Sequence, residues 1–362
     1  MRPYLRDRFG NPSALYGIGR ECRQAVEHAR GQVAGLIGAS PGEIFFTSGG
    51  SESDNMALRG VLERSGGKDH IVTTAVEHHA VLETAEYLGT RGYRVTIVGV
   101  DAFGLVDPDD IRKAIEPRTA IVSVMHANNE IGTVEPVAEI SGVCREAGVY
   151  FHTDAVQTAG NIPVDVDELG VDLLSMSGHK LYGPKGVGAI YVRNGTKLAR
   201  LVHGGEQERG MRAGTENIAG IVGLGAAAEL AFLEMDARVS RITGLRDRLA
   251  SGLLEAVSDS KLNGHPERRL PNNVHLGIRF IEGEAICLHL DTVGVCASTG
   301  SACTSEALEP SHVLLATGLA APEAHGSVRF SLGRSTTVEH VDYVIEKLPP
   351  IVERLRAMSP LA

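Results

Sequence analysis

No tryptophan occurs in this 362-residue chain, and phenylalanine, tyrosine and tryptophan together make up only 4% of it, whereas glycine occurs 43 times. That balance suits a fold with many tight turns close to a ligand. Long blocks of lysine or arginine are also missing and the net charge is −10, which argues against direct binding of nucleic acid. The longest apolar run, Ile218 to Ala228, contains three glycines and stops at Glu229. It is too short to cross a bilayer, so no membrane partner is expected. The opening Met1-Arg2-Pro3-Tyr4-Leu5-Arg6-Asp7-Arg8 lacks an apolar core, so no export signal is expected. Cysteine is scarce: five residues, an odd number scattered through a long chain, do not form a disulfide framework, and a reducing cytoplasm is the expected setting.

What is present reads as globular, with 43% hydrophobic and 22% charged residues and enough length for two domains. No internal repeat or low-complexity segment is visible. Strands are expected at Ile71–Thr74, Val95–Val98, Ala120–Met125, Val149–His152, Val171–Met176 and Gly188–Val192, with helical stretches between several of them, such as Val137 to Ala147. This rhythm predicts an α/β fold with a mostly parallel central sheet and helices on both faces. From Asn217 to about Val257 the pattern turns helical, as one or two long helices leading into a second domain. The boundaries are set at 1–236 for a large domain and 237–362 for a smaller C-terminal α+β domain.

Polar residues gather just after the strand candidates: Glu77-His78-His79, His126-Ala127-Asn128-Asn129-Glu130, Asp154 with Gln157, and Ser177-Gly178-His179-Lys180. Ligands of such sheets bind outside the carboxyl ends of the strands. Lys180, delivered by a strand end into a glycine-rich turn, is expected to lie close to the backbone, enclosed, with a lowered pKa that suits Schiff-base chemistry. Alone it could be a solvated surface lysine. Thr47-Ser48-Gly49-Gly50-Ser51 opens a helix whose unpaired N–H groups can hold phosphate, or Ser51 is a plain N-cap. Asp154 could be an exposed carboxylate or, if buried, the partner of a pyridine nitrogen. His78 could be structural, or a flat ring that stacks on a cofactor and moves protons. Gly223-Leu224-Gly225-Ala226-Ala227-Ala228 imitates a dinucleotide fingerprint, but it lies within a helical pattern and is rejected. Ala297-Ser298-Thr299-Gly300-Ser301-Ala302-Cys303-Thr304-Ser305 surrounds a cysteine with small polar residues, as an accessible nucleophile would be. A disulfide or metal pair with Cys296 is the plainer alternative; the spacing fits no zinc pattern, so no metal is expected.

Taken together, Phe9-Gly10-Asn11-Pro12-Ser13, Met125-His126-Ala127-Asn128-Asn129-Glu130-Ile131-Gly132, Phe151-His152-Thr153-Asp154-Ala155-Val156-Gln157, Ser177 to Lys180 with Gly183-Pro184-Lys185-Gly186, Glu208 to Asn217, Thr299 to Ser305 and Arg329 to Arg334 resemble the cysteine desulfurases. These are pyridoxal 5′-phosphate (PLP) enzymes of the fold-type-I, class V aminotransferase group. The resemblance runs nearly end to end and implies conversion of L-cysteine to L-alanine, with sulfur passed on as a persulfide. It implies catalytic roles for Lys180 (Schiff base and α-proton transfer), Cys303 (sulfur nucleophile) and His78 (ring stacking). Gly50, Ser51, Ser177 and His179 would hold the phosphate, Asp154 the ring nitrogen and Gln157 the ring oxygen. Asn129 would contact cofactor or substrate, and Arg329 would clamp the substrate carboxylate. Thr215 would reach the phosphate of a neighbouring subunit, which calls for a homodimer.

The segment from Ser298 through Glu309-Pro310-Ser311-His312 resembles the long-loop group, which passes sulfur to a scaffold or thiolation partner such as an iron–sulfur assembly protein. Relatives carry a strand and an Asp…Ala-Thr-Thr segment ahead of Phe9-Gly10; here the chain opens at Met1-Arg2-Pro3. That leaves three expectations: a misassigned start, a truncation, or a more open pocket with lowered activity. The C-terminal end, where some relatives dock a scaffold, is short, and Tyr16 stands where many relatives have histidine. Readings on the same fold are a selenocysteine lyase, an aminotransferase or a PLP-binding scaffold subunit. An aminotransferase has no use for a mobile thiol such as Cys303.

Overall fold

The structure is a computed structural model that describes residues 1–300 and 310–359. The chain divides into two compact units. The first contains residues 1–98, 108–126 and 136–235; the second contains 99–107, 127–135 and 236–362.

The first unit is built on a seven-stranded sheet. Its strands are β1 (Ile44–Thr47), β2 (His70–Thr74), β3 (Arg94–Val98), β4 (Thr119–Ser123), β5 (Tyr150–Asp154), β6 (Leu173–Ser177) and β7 (Gly188–Val192), in the order β1-β7-β6-β5-β4-β2-β3. β2 to β6 are mutually parallel. β7 runs antiparallel to β6, and β1 antiparallel to β7. β1 therefore points the same way as the parallel five, and six of the seven strands end at one edge of the sheet. Strands β2, β4, β6 and β7 are buried along their whole length, which is why they read as continuous apolar runs rather than as alternating patterns. The helices of this unit are α1 (Arg2–Arg6), α2 (Gly17–Leu36), α3 (Gly50–Arg64), α4 (His79–Thr90), α5 (Pro108–Ala114), α6 (Val137–Ala147), α7 (Val166–Leu169) and α8 (Ile218–Leu233). α6 stops where Gly148 takes the left-handed conformation (φ 63°), a C-terminal signal the sequence carries openly.

α3 packs across β4, β5, β6 and β7. Its apolar side, Met56, Leu58, Val61 and Leu62, joins Ile71, Ile121, Leu173 and Ile190 in a fully buried cluster. Burying a side chain of this size contributes about 1.5–3 kcal/mol. That packing fixes where the N-terminus of α3 lies relative to the strand ends.

The second unit holds an antiparallel sheet of β8 (Ser260–Leu262), β9 (Asn273–Ile278) and β10 (Ser327–Ser331), in the order β10-β9-β8. Its helices are α9 (Met235–Ala256), α10 (Gly283–Thr292), α11 (His312–Ala316), α12 (Ala321–His325) and α13 (Val338–Arg356). Leu253, Val274, Leu276, Ile286, Leu290, Val328 and Leu348 form its core. Among the described residues no single helix is long and apolar enough to cross a membrane.

Candidate active site

The turn between β1 and α3 presents a helix start of the kind that binds anions. Gly49 caps α3 without any side-chain hydrogen bond to the first amides, so the N–H groups of the first turn face outward with the positive end of the helix dipole. The fit is tight. A Cβ on Gly50 would lie 2.6 Å from Val156 Cγ2, and one on Gly188 would lie 2.6 Å from Gly49 Cα. Ser177, the last residue of β6, shares a 2.9 Å hydrogen bond between its Oγ and His179 Nδ1. Its Oγ lies 3.6 Å from the Cβ position of Gly49. Gly50, Ser177 and His179 thus meet at one helix start, and Ser51 stands exposed on its first turn. The His179 imidazole is held below its ordinary pKa by partial desolvation of its ring and then by the Lys180 and Lys185 charges, which favours the neutral, hydrogen-bonding form over the cation.

Asp154 closes β5 and is buried, with 5% exposure. Its Oδ1 accepts the Val156 N–H at 2.8 Å, and its backbone oxygen accepts the His126 N–H at 2.9 Å. Burial pushes its carboxyl up to about 6, while the Val156 amide and the Lys180 charge pull down. His78 caps α4: its Nδ1 accepts the Ala80 N–H at 3.1 Å. A neutral ring acting as that acceptor carries its proton on Nε2. Gln157 follows Asp154 by three residues and is half-buried.

Lys180 departs from expectation. It and His179 are exposed, not enclosed. The reason is local: β6 stops pairing at Ser177, and the 3₁₀ turn Gly178–Leu181 lifts the next residues off the sheet. The Lys180 ammonium nevertheless acts on the Asp154 carboxyl, so the amine and the buried acid share one edge of the sheet.

Behind Asp154 lies a polar layer that the sequence did not advertise. His152, two residues earlier on β5, is fully buried. Its Nδ1 meets Ser123 Oγ of β4 at 2.8 Å and its Nε2 meets Ser175 Oγ of β6 at 2.9 Å. Asp54 of α3, also buried, places Oδ1 at 3.6 Å from His152 Nε2. Burial and the neighbouring Asp154 hold the Asp54 carboxyl well above its usual range, and burial drives His152 down to about 3. His152 is therefore neutral near pH 7, and burial together with the neighbouring Asp154 disfavours ionisation of Asp54. The one signal available was period two along β5, which puts His152 and Asp154 on one face. Glu77 borders the same layer, its Oε1 accepting from Thr74 Oγ1 at 2.7 Å and from Met125 N at 2.8 Å.

Within the second unit, Asn129 and Arg329 come together: Arg329 Nη1 donates to the Asn129 carbonyl at 2.9 Å. Arg329, on β10, also forms a two-way backbone bridge with Ser298. Thr215, in the first unit, is exposed. Cys303 lies outside the described residues.

The first-unit residues fit a phosphorylated pyridine aldehyde: an uncapped helix start that tolerates no Cβ at Gly50, a buried carboxyl suited to a protonated ring nitrogen, and an amine at the same edge. The sequence profile of the family "Aminotransferase class-V" matches residues 1–344. A protein of Dictyoglomus turgidum named cysteine desulfurase IscS is 55% identical over 99% of this chain and 92% of its own length. Among solved structures, a "NifS-like protein" superposes with a TM-score of 0.91 at 39% identity, covering 98% of this chain and 94% of its own. "SspA in complex with cysteine" superposes with a TM-score of 0.81 at 36% identity, covering 91% and 93%. The family match spans residues 1–344 and the relatives cover nearly the whole chain, which belongs to the class-V aminotransferase family and, within it, to the cysteine desulfurases.

Proposed function

We propose that this protein is a PLP-dependent cysteine desulfurase: it takes L-cysteine, leaves L-alanine, and holds the released sulfur on Cys303 for an acceptor. The observation that carries this reading is the convergence, at one sheet edge, of the α3 helix start, buried Asp154 and Lys180, within a chain 55% identical to a cysteine desulfurase. PLP, when bound, supplies an electron sink that stabilises negative charge on the carbon it activates.

The chain's own residues do the rest. The first-turn amides of α3, with Ser51, Ser177 and His179, hold the phosphate. The Asp154 carboxylate would keep a proton on the ring nitrogen, and the buried surroundings of Asp54 behind it disfavour a second negative charge there. Gln157 would contact the ring oxygen. His78, with its proton on Nε2, would lie against the ring face. Lys180 Nζ would hold the aldehyde carbon of the cofactor and would act as the base toward the substrate α-proton. Arg329 receives the substrate carboxylate through a two-pronged guanidinium contact, and Asn129, held beside it, contacts substrate or cofactor. Cys303 Sγ, as thiolate, bonds to the substrate sulfur, and the carbon–sulfur electron pair stays with the fragment that leaves as alanine.

Thr215, exposed on its own chain, would serve a second protomer; on this reading the working form is a homodimer, and its setting is the cytoplasm. The acceptor is a sulfur-receiving protein such as an iron–sulfur scaffold or a thiolation partner. The test is alanine formation from L-cysteine by wild type and Cys303→Ser. Wild type is expected to turn over, whereas Cys303→Ser is expected to keep the lysine-linked cofactor absorbance and lose sulfur transfer. Full sulfide release by that variant removes Cys303 from the mechanism; turnover by Lys180→Ala removes Lys180.

A further inference from the structure

Glu208 and Arg209 occupy the left-handed region at φ 47° and 55°, followed by Gly210 at φ 80°. Two consecutive non-glycine residues there are strained, and such strain persists only where surrounding contacts over-determine it. Here they do. The buried Glu208 carboxylate accepts from Arg30 Nη1 at 2.7 Å, Arg30 Nη2 at 2.9 Å and the Phe46 N–H at 2.9 Å. Arg30, 3% exposed, also donates to the Ile44 carbonyl and lies 4.7 Å from the centre of the Phe46 ring. Arg209 donates to the Ile44 carbonyl at 2.6 Å and lies 4.3 Å from the centre of the Phe45 ring. Further along, Arg212 grips Glu52 of α3 at 2.9 and 3.2 Å, and Gly214 N–H bonds Gln207 Oε1 at 3.0 Å. These anchors fasten the turn to α2, β1 and α3, and the last two of those make the phosphate cradle. Yet the turn ends in Gly214 and Thr215, both exposed.

A strained, buried-charge scaffold is a large investment for a surface hydroxyl that lies exposed on its own chain. We propose that the buried Arg30–Glu208 pair is a positioning device that aims Thr215 at the cofactor phosphate of a second copy of this chain. Damage to Glu208 in one protomer is then felt in the other protomer's site. This rests on the reading above that Thr215 is shared between protomers, and the test separates the two claims.

Two differently tagged chains are co-expressed and the mixed dimer is purified on both tags. The readouts are the amount of lysine-linked cofactor, from its absorbance, and its dissociation constant. Glu208→Gln as a homodimer is expected to bind cofactor about tenfold more weakly, the effect of losing one hydrogen bond to a charged group. Paired with Lys180→Ala, the Glu208→Gln chain keeps its own Lys180 and receives an intact turn from its partner. One site per dimer is then expected to bind with wild-type affinity. If that site stays as weak as the Glu208→Gln homodimer, Glu208 acts only within its own chain and the proposal fails. Thr215→Ala paired with Lys180→Ala tests the sharing itself: recovery of one site supports it, and no recovery overturns it whatever Glu208 does. Should Glu208→Gln yield no folded protein, Arg30→Lys takes its place: it keeps the buried positive charge but loses the two-pronged contact to Glu208, and is read by the same two outcomes.

Discussion

Replacing Asp154 by asparagine removes one charge and almost no volume. The asparagine Oδ1 can still accept the Val156 N–H, at 2.8 Å in the wild type, so the turn after β5 has no reason to move. What changes is the cost of ionising a buried acid. Its carboxyl is pushed from 3.8 up to about 6, chiefly by burial. Each tenfold change in proton affinity is about 1.4 kcal/mol, so the ionised form costs about 3 kcal/mol in the cofactor-free fold. The sign follows from proton counts. Between pH 4 and 6 the folded chain holds a proton that the unfolded chain has released, so stability falls as pH rises through that window. Asp154→Asn has no such slope. The cofactor-free variant should therefore be more stable than wild type at pH 7 by about 3 kcal/mol, or about 4 °C in melting temperature for a chain of this size, and equal to it near pH 4. Cofactor affinity should move the opposite way, weakening at least tenfold, because a charge-assisted hydrogen bond of about 1.5–3 kcal/mol is lost. Thermal melts of the stripped protein from pH 4 to 8, with cofactor titration by absorbance, read both effects. A variant no more stable than wild type at pH 7 refutes the burial argument; unchanged cofactor affinity refutes the role of Asp154.

Other outcomes follow from the same geometry. Gly50→Ala puts a Cβ 2.6 Å from Val156 Cγ2 and should weaken phosphate binding about tenfold or more while leaving the circular dichroism spectrum unchanged; equal affinity for inorganic phosphate in variant and wild type would contradict the cradle. Arg329→Lys keeps the charge but loses the fork, and should raise the KM for cysteine more than it lowers kcat; an unchanged KM would remove Arg329 from substrate binding. Glu135, in the second unit, is buried with Oε2 accepting the Val106 N–H at 2.9 Å, and burial lifts its carboxyl from 4.5 to about 8. Its raised pKa erodes stability as pH rises from about 4.5 to 8. Glu135→Gln should stabilise the protein at pH 7 by roughly 3 kcal/mol and hardly at all at pH 4, as urea unfolding at both values would show.

Some features were decided by the chain itself. Buried strands need apolar runs, so β2, β4, β6 and β7 were visible along the sequence, and α6 was legible over its full length because its apolar period and terminal glycine agree. The polar residues after those runs were legible for the same reason: where the apolar run stops, the sheet edge begins. Other features existed only once the chain had folded. Lys180 was expected to be enclosed and is exposed, because exposure depends on where β6 stops pairing. Asp54, His152 and the two serines beside them come from four separate elements, and no local pattern says that they will share one buried layer. The Arg30–Glu208 pair joins residues far apart along the chain, so nothing near either residue announces it. The assignment of 99–107 and 127–135 to the second unit is of the same kind. Local sequence sets which faces must be buried, but charges, strain and partners across long separations are set by three-dimensional proximity, because the free energy of a buried group depends on every atom around it rather than on its neighbours along the chain.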